Sequence, residues 1–192
     1  MVPLAALSHD YHIVLLGDLG VGKTEWLVRI FGREPSPVRW TLLLQKGNGT
    51  NRLQYLPTML DIETISFTLE GELYTVTISD TGSEEVPEYL FEDADGFIVM
   101  YNPGKRYSYG HALNQAARIK DKPACLVANR HETEEVPKQE GFFETRKLRW
   151  EFVETSRSDP QPRIALERTV RAARRVRRGL SNQHVANDMI YV

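Results

Sequence analysis

The chain has 192 residues, of which 41% are hydrophobic and 26% charged, and its net charge is −2. That is the size of one ordinary domain, able to bury roughly 70% of its unfolded surface without covalent staples. A single cysteine excludes a disulfide scaffold and a cysteine-ligated zinc site. No apolar run approaches the roughly 20 residues that cross a bilayer. The charge is uneven: from Arg163 onward the chain carries seven arginines against Glu167 and Asp188, so the part before it is net acidic. Nucleic-acid binding by the whole chain is not expected, whereas a local basic element is. The apolar start Met1 to Leu7 lacks the charged flank and length of a secretion signal, and a cytoplasmic location is expected.

Tyr11 to Leu16 is a short apolar run closed by Gly17, which predicts a buried strand. Trp26, Leu27, Ile30 and Phe31 then recur at helical spacing, predicting a helix over Lys23 to Phe31 with Gly32 as its stop. Arg33 to Tyr55, rich in Pro, Gly, Asn and Arg, reads as a long loop. Ile65, Phe67 and Leu69 alternate, Glu70-Gly71-Glu72 turns, and Tyr74, Val76 and Ile78 alternate again, giving a hairpin that ends at Asp80. Gly96 to Tyr101 and Ala124 to Ala128 are two more buried strands, separated by a helix from Tyr109 to Lys120; Cys125 in the second is an inert, buried thiol. Trp150 to Glu154 forms a sixth strand. A last helix from about Pro162 to Arg178 carries the apolar stripe Leu166, Val170, Ala173, Val176 and Leu180, with arginines facing outward.

This order predicts a three-layer α/β fold with a six-stranded, mostly parallel sheet, one antiparallel hairpin strand and flanking helices. It forms a single domain over residues 9–180, followed by a short tail at 181–192.

The segment Gly17-Asp18-Leu19-Gly20-Val21-Gly22-Lys23-Thr24 fits G-x-x-x-x-G-K-[ST], with a strand before it and a helix after it. Its glycines let backbone N–H groups curl around phosphate oxygens, Lys23 reaches the outer phosphates, and the Thr24 hydroxyl suits Mg²⁺. The loop alone specifies a nucleoside triphosphate but neither the base nor the reaction.

Further along, Tyr55-Leu56-Pro57-Thr58 precedes the hairpin and Asp80-Thr81-Gly82 ends it. Asn129-Arg130-His131-Glu132 follows the fifth strand, and Glu154-Thr155-Ser156 ends the sixth. In this order the chain resembles the Ras-like small GTPases from His12 to Arg178. The resemblance implies GTP and GDP as ligands with Mg²⁺, and a switch that engages effector and regulator proteins. It places Thr24, Thr58 and Asp80 at the metal, and Asn129, Arg130, Glu132, Ser156 and Arg157 around the base. Ser83 falls near the terminal phosphate, and Glu84 takes the place of the residue that orients attacking water.

Several boxes depart from the family's pattern. The third reads Asp80-Thr81-Gly82-Ser83-Glu84-Glu85, so Ser83 replaces a glycine and Glu84 a glutamine; a carboxylate cannot donate as an amide does. Leu19 is bulky where relatives carry a small residue. Three changes around one phosphate imply slow hydrolysis or none. In the fourth box Glu132 replaces an aspartate and Arg130 a lysine, two cations that are not interchangeable. Arg157 replaces a small alanine.

His131-Glu132 does not extend into a zinc-protease motif, because Glu135 stands where the second histidine belongs. The acidic run Glu84 to Asp95 reads as a solvated helix face or as a partner-facing surface. For the basic last helix a solubilising face and a weak anionic membrane or protein contact both remain open. Residue 2 is Val and the chain ends in Met189-Ile190-Tyr191-Val192, so no lipidation motif is present. A monomer is expected. Two other function classes remain: a degenerate relative acting as an interaction module without turnover, and a phosphate-loop kinase using ATP.

Overall fold

A computed structural model describes residues 9–32, 60–82, 86–130, 133–159 and 161–179. Strand β1, His9–Leu16, runs up the middle of the molecule and delivers the chain to helix α1, Lys23–Phe31. The hairpin follows as β2, Leu60–Leu69, and β3, Glu72–Thr81. Then come α2, Glu88–Asp93; β4, Gly96–Tyr101; α3, Arg106–Asn114; α4, Ala116–Ile119; and β5, Ala124–Arg130. Helix α5, Lys138–Leu148, strand β6, Glu151–Ser156, and helix α6, Ile164–Arg177, complete the chain.

The sheet order is β2-β3-β1-β4-β5-β6, parallel throughout except that β2 runs antiparallel to β3. This is the α/β sheet expected from the sequence. Its central strands are buried on both faces, which is why they read as continuous apolar runs rather than alternations. One face packs Ile13, Leu15, Ile98, Met100, Cys125 and Val127 beneath α1 and α6, through Trp26, Leu27, Leu166 and Val170. The other packs Val14, Leu16, Phe97, Val99 and Leu126 against Leu90, Tyr109, Ile119 and Trp150. Cys125 is fully buried, and desolvation pushes its thiol up, as an inert core residue requires. Among the described residues no helix is long and apolar enough to cross a membrane.

Four elements differ from the sequence reading. The hairpin strands pair all the way from Leu60↔Thr81 to Leu69↔Glu72, longer than their alternation implied. Their turn places Glu70 at φ 54 and Gly71 at φ 81, the double positive φ that matches strand twist in a two-residue hairpin. The helix expected from Tyr109 to Lys120 begins at Arg106 and breaks at Gln115. Distant partners begin it early: the Arg106 N–H donates to Glu135 at 2.9 Å and its guanidinium reaches Glu140 at 2.6 Å. The break is a tightening to i−3 bonding, with the Gln115 N–H on the Ala112 carbonyl and the Arg118 N–H on that of Gln115.

Helix α5 was not expected, because Gly141 interrupts its pattern. There the glycine serves close approach: a Cβ would stand 2.8 Å from the Tyr101 hydroxyl and from the Phe152 ring.

The arginines of α6 do not all face outward. Arg171 and Arg174 bind Glu70 at 3.0 and 2.9 Å, and Arg174 also donates to the Tyr74 hydroxyl at 2.9 Å. Arg177 pairs with Asp95 at 2.6 Å and lies over the Tyr11 ring, and Arg168 donates to the Phe152 carbonyl. Of the expected stripe, Leu166, Val170 and Ala173 are buried, Val176 is exposed, and Leu180 lies outside the described residues. Arg174 therefore ties the hairpin to the last helix, and we predict that Arg174→Ala costs about 1–2 kcal/mol, since it breaks a partly buried charged network rather than a surface pair. A lower urea midpoint at constant m-value is the expected readout.

Candidate functional site

At the carboxyl end of β1 the chain turns through Gly17 to Gly22 before entering α1. In a sheet whose order reverses at β1, this edge is where α/β proteins bind ligands. Gly17, Gly20 and Gly22 all have positive φ, at 147, 77 and 96°. At two of them a side chain is excluded by space as well: a Cβ on Gly17 would overlap the Met100 carbonyl, and one on Gly22 the Asn129 amide.

Lys23 folds back under this loop. Its ammonium donates to the carbonyls of Gly17 and Asp18, the latter at 3.2 Å, and only 8% of the residue is exposed. Burial lowers its pKa, while the charges of Asp80 and Asp18 oppose that shift. An anion arriving in the loop would stabilise the same ammonium.

Helix α1 has Gly22 as its N-cap and no side-chain cap, and a helical bond across the junction runs from the Trp26 N–H to the Gly22 carbonyl at 2.9 Å. Its first-turn N–H groups are the kind that bind phosphate.

Asn129, at the end of β5, donates from Nδ2 to the Val21 carbonyl at 2.8 Å and is 6% exposed. It pins the loop to a second strand. Asp80, 7% exposed, sits at the end of β3 in register with Leu15, and its neighbour Thr81 donates to the Leu15 carbonyl at 2.9 Å. The Thr24 hydroxyl in the first turn of α1 and the Asp80 carboxylate at this strand end are hard oxygen donors. That pair suits Mg²⁺, which takes one or two side chains and fills its remaining positions with phosphate and water. Among the described residues no group of three or more His, Cys, Asp or Glu side chains is placed to hold a metal ion.

Beyond the loop lies a cleft of about 670 Å³, running from Gly20 and Asn129 between Asn102–Lys105 on one wall and Ser156–Ser158 on the other. Of the residues expected around a base, Asn129, Arg130, Ser156 and Arg157 all line it. Arg130 is exposed and lies 3.7 Å from Glu134. Arg157 donates to Glu25 of α1 at 2.7 Å, and both residues line the cleft. Leu19, in the phosphate loop, is 58% exposed. Thr58, Ser83, Glu84 and Glu132 lie outside the described residues, as do the long loop at 33–55 and the tail at 181–192.

Sequence reasoning did not find Glu25, Arg29, Asn102 or Lys105. Arg29 donates to the Ser156 carbonyl and to the Thr155 hydroxyl at 3.4 Å, tying α1 to the end of β6. Glu25 and Arg29 look in sequence like ordinary solvated helix charges, and Asn102 and Lys105 like ordinary loop residues, so no sequence signal marks them.

The Ras family model matches residues 39–172. The match begins after the phosphate loop, so the loop's geometry is separate ground. GTP-binding protein Rit1 of Mus musculus is 26% identical over 166 residues, covering 79% of this chain and 68% of the relative. Ras-like protein 2 of Mucor circinelloides f. lusitanicus is 25% identical over 165 residues, covering 79% and 75%.

The contact between Gly22 and Asn129 gives a prediction. Gly22→Ala should destabilise the fold by about 2 kcal/mol or more, combining strain at positive φ with overlap on the Asn129 amide. Adding Asn129→Ala should recover part of that loss, because the overlap is with the end of a side chain. A double variant no more stable in urea than Gly22→Ala alone would refute the packing account.

Proposed function

The chain belongs to the Ras family, and from that premise we propose that it is a guanine-nucleotide-binding switch that uses Mg²⁺ and hydrolyses GTP slowly. Guanine-nucleotide binding is what family membership implies. The observation that carries the reading is the phosphate loop, with a nearly buried Lys23 beneath it and Asn129 locking it to the base-side cleft.

In this reading the loop's N–H groups and Lys23 take the outer phosphates. Thr24 and Asp80 hold the metal from the protein side, joined by Thr58 when triphosphate is present. Mg²⁺ supplies charge neutralisation on the outer phosphate oxygens. Asn129, Arg130 and Ser156 form the base end with Glu132, whose carboxylate accepts from the guanine edge. Arg157, paired with Glu25, lines the same cleft.

Slow turnover follows from the chemistry of Leu19, Ser83 and Glu84. A carboxylate at the water-orienting position brings negative charge toward a triphosphate and offers no amide donor. The exposed Leu19 adds bulk to the loop an activating side chain would approach. The switch is proposed to work as a cytoplasmic monomer, with effectors and regulators as its partners. Several arginines of α6 are committed to the chain's own carboxylates, which favours a structural role for that helix over an anionic-membrane contact.

The nucleotide released by denaturing purified protein should be GDP or GTP. Lys23→Ala should weaken nucleotide binding at least about tenfold, the loss of one charge-assisted contact. With Mg²⁺ present, GTP and GDP should outcompete ATP by roughly ten- to a hundredfold, since adenine leaves the carboxylate unpaired at a cost of about 1–3 kcal/mol. Equal competition by ATP would show that Glu132 does not select guanine.

Single-turnover hydrolysis should be slow. Leu19→Gly, Ser83→Gly and Glu84→Gln together should raise it, non-additively, because all three act at one phosphate. Brisk hydrolysis by the unmodified protein would overturn the slow-switch reading. No hydrolysis with intact binding would leave an interaction module.

A further inference from the structure

Asp18 is the one acidic residue inside the phosphate loop. A carboxylate there stands beside a concavity built for anions, close enough that its charge acts on Lys23. Its backbone carbonyl belongs to the loop's inner wiring, accepting from the Lys23 ammonium at 3.2 Å and from the Val21 N–H at 3.4 Å. Its side chain is engaged elsewhere. The Nδ1 of His111, on α3, lies 2.9 and 2.8 Å from the two carboxylate oxygens. One turn back along α3 the Tyr107 ring meets the imidazole edge-on, at 6.2 Å between centroids, and orients it.

A small cavity between the loop and α3, lined by Gly17, Asp18, Thr81, Gly82, His111 and Gln115, separates the two elements on either side of this bridge. The bridge therefore spans a gap that the core does not fill. His111 is itself largely exposed, so it contributes little to packing.

We propose that His111 is a positioning residue of the nucleotide site. It holds the Asp18 carboxylate on the α3 side of the phosphate loop, which fixes the loop's shape and keeps a negative charge from opposing the incoming phosphates. The part of this concerning phosphates rests on the nucleotide-binding reading above; the part concerning the loop does not. Removing the imidazole leaves the carboxylate free to swing toward the phosphates, where Coulomb repulsion through a partly screened site costs affinity on the order of tenfold.

The experiment uses the full chain as wild type and as His111→Ala, His111→Arg, Asp18→Asn and the double variant Asp18→Asn with His111→Ala. Amide hydrogen exchange without added nucleotide reads the loop, and displacement of fluorescent GDP reads binding. His111→Ala should speed exchange several-fold across residues 17–22 while leaving β4 and β5 unchanged, and should weaken GDP about tenfold. His111→Arg, which keeps donors for both oxygens, should retain most of the affinity. In the Asp18→Asn background, His111→Ala should add no more than about a twofold loss. An equally large loss in that background would overturn the proposal, because His111 would then act otherwise than through Asp18. Unchanged loop exchange in His111→Ala would overturn it too. Should the wild type bind neither GDP nor GTP, the proposed function falls, and the exchange comparison alone still decides the role of His111.

Discussion

The Lys23 ammonium is nearly shut off from water and donates to the backbone carbonyls of Gly17 and Asp18. A charge in such a place is costly unless an anion arrives, and the fall in its pKa expresses that cost. The rest of the site is arranged around keeping the carbonyls where the ammonium can reach them. Gly17 must pass under Met100 and Gly22 under Asn129, so no side chain fits at either point. Asn129 then ties the loop to β5, and Asp80 supplies the opposing charge from β3. Strands on both sides of β1 thus shape a single loop, and tight packing of the sheet transmits that rigidity to it.

Charged side chains do comparable work farther out. Arg29 reaches the end of β6, Arg157 pairs with Glu25, and Arg106 ties α3 to the start of α5. At the opposite end Arg171 and Arg174 clamp the hairpin turn. The hairpin forms one edge of the sheet and carries Asp80 near its end, so the clamp bears on the site through β3 as well as on stability. Apart from the partly buried Arg174, exposed pairs of this kind are worth little singly. Their value here is geometric, since each joins elements far apart in the chain.

The chemistry at the terminal phosphate is separable from this scaffold. Phosphoryl transfer depends on placing water and spreading charge, with little covalent work for the protein. In the proposed function, Leu19 and Glu84 bear on those tasks while the glycines, Lys23 and Asn129 bear on binding, so binding and turnover would be free to diverge in one chain.

The sequence by itself determined the phosphate-loop pattern and the order of the sheet strands. Those features rest on local rules: a glycine pattern that only a loop needs, apolar runs that only buried strands tolerate, and a lysine placed at the start of a helix. It left α5 hidden because Gly141 weakens a helix locally and is required only by the approach of Tyr101 and Phe152. It placed the start of α3 too late because Glu135 and Glu140, distant in the chain, decide it. The pairing of Arg157 with Glu25 has no signal in the linear pattern, and the arginines expected as an outward face of α6 meet Glu70, Glu72 and Asp95 instead. His111 carried no signal at all. Side chains of that kind take their meaning from a partner brought near by the fold, and a linear pattern holds no information about distance through space.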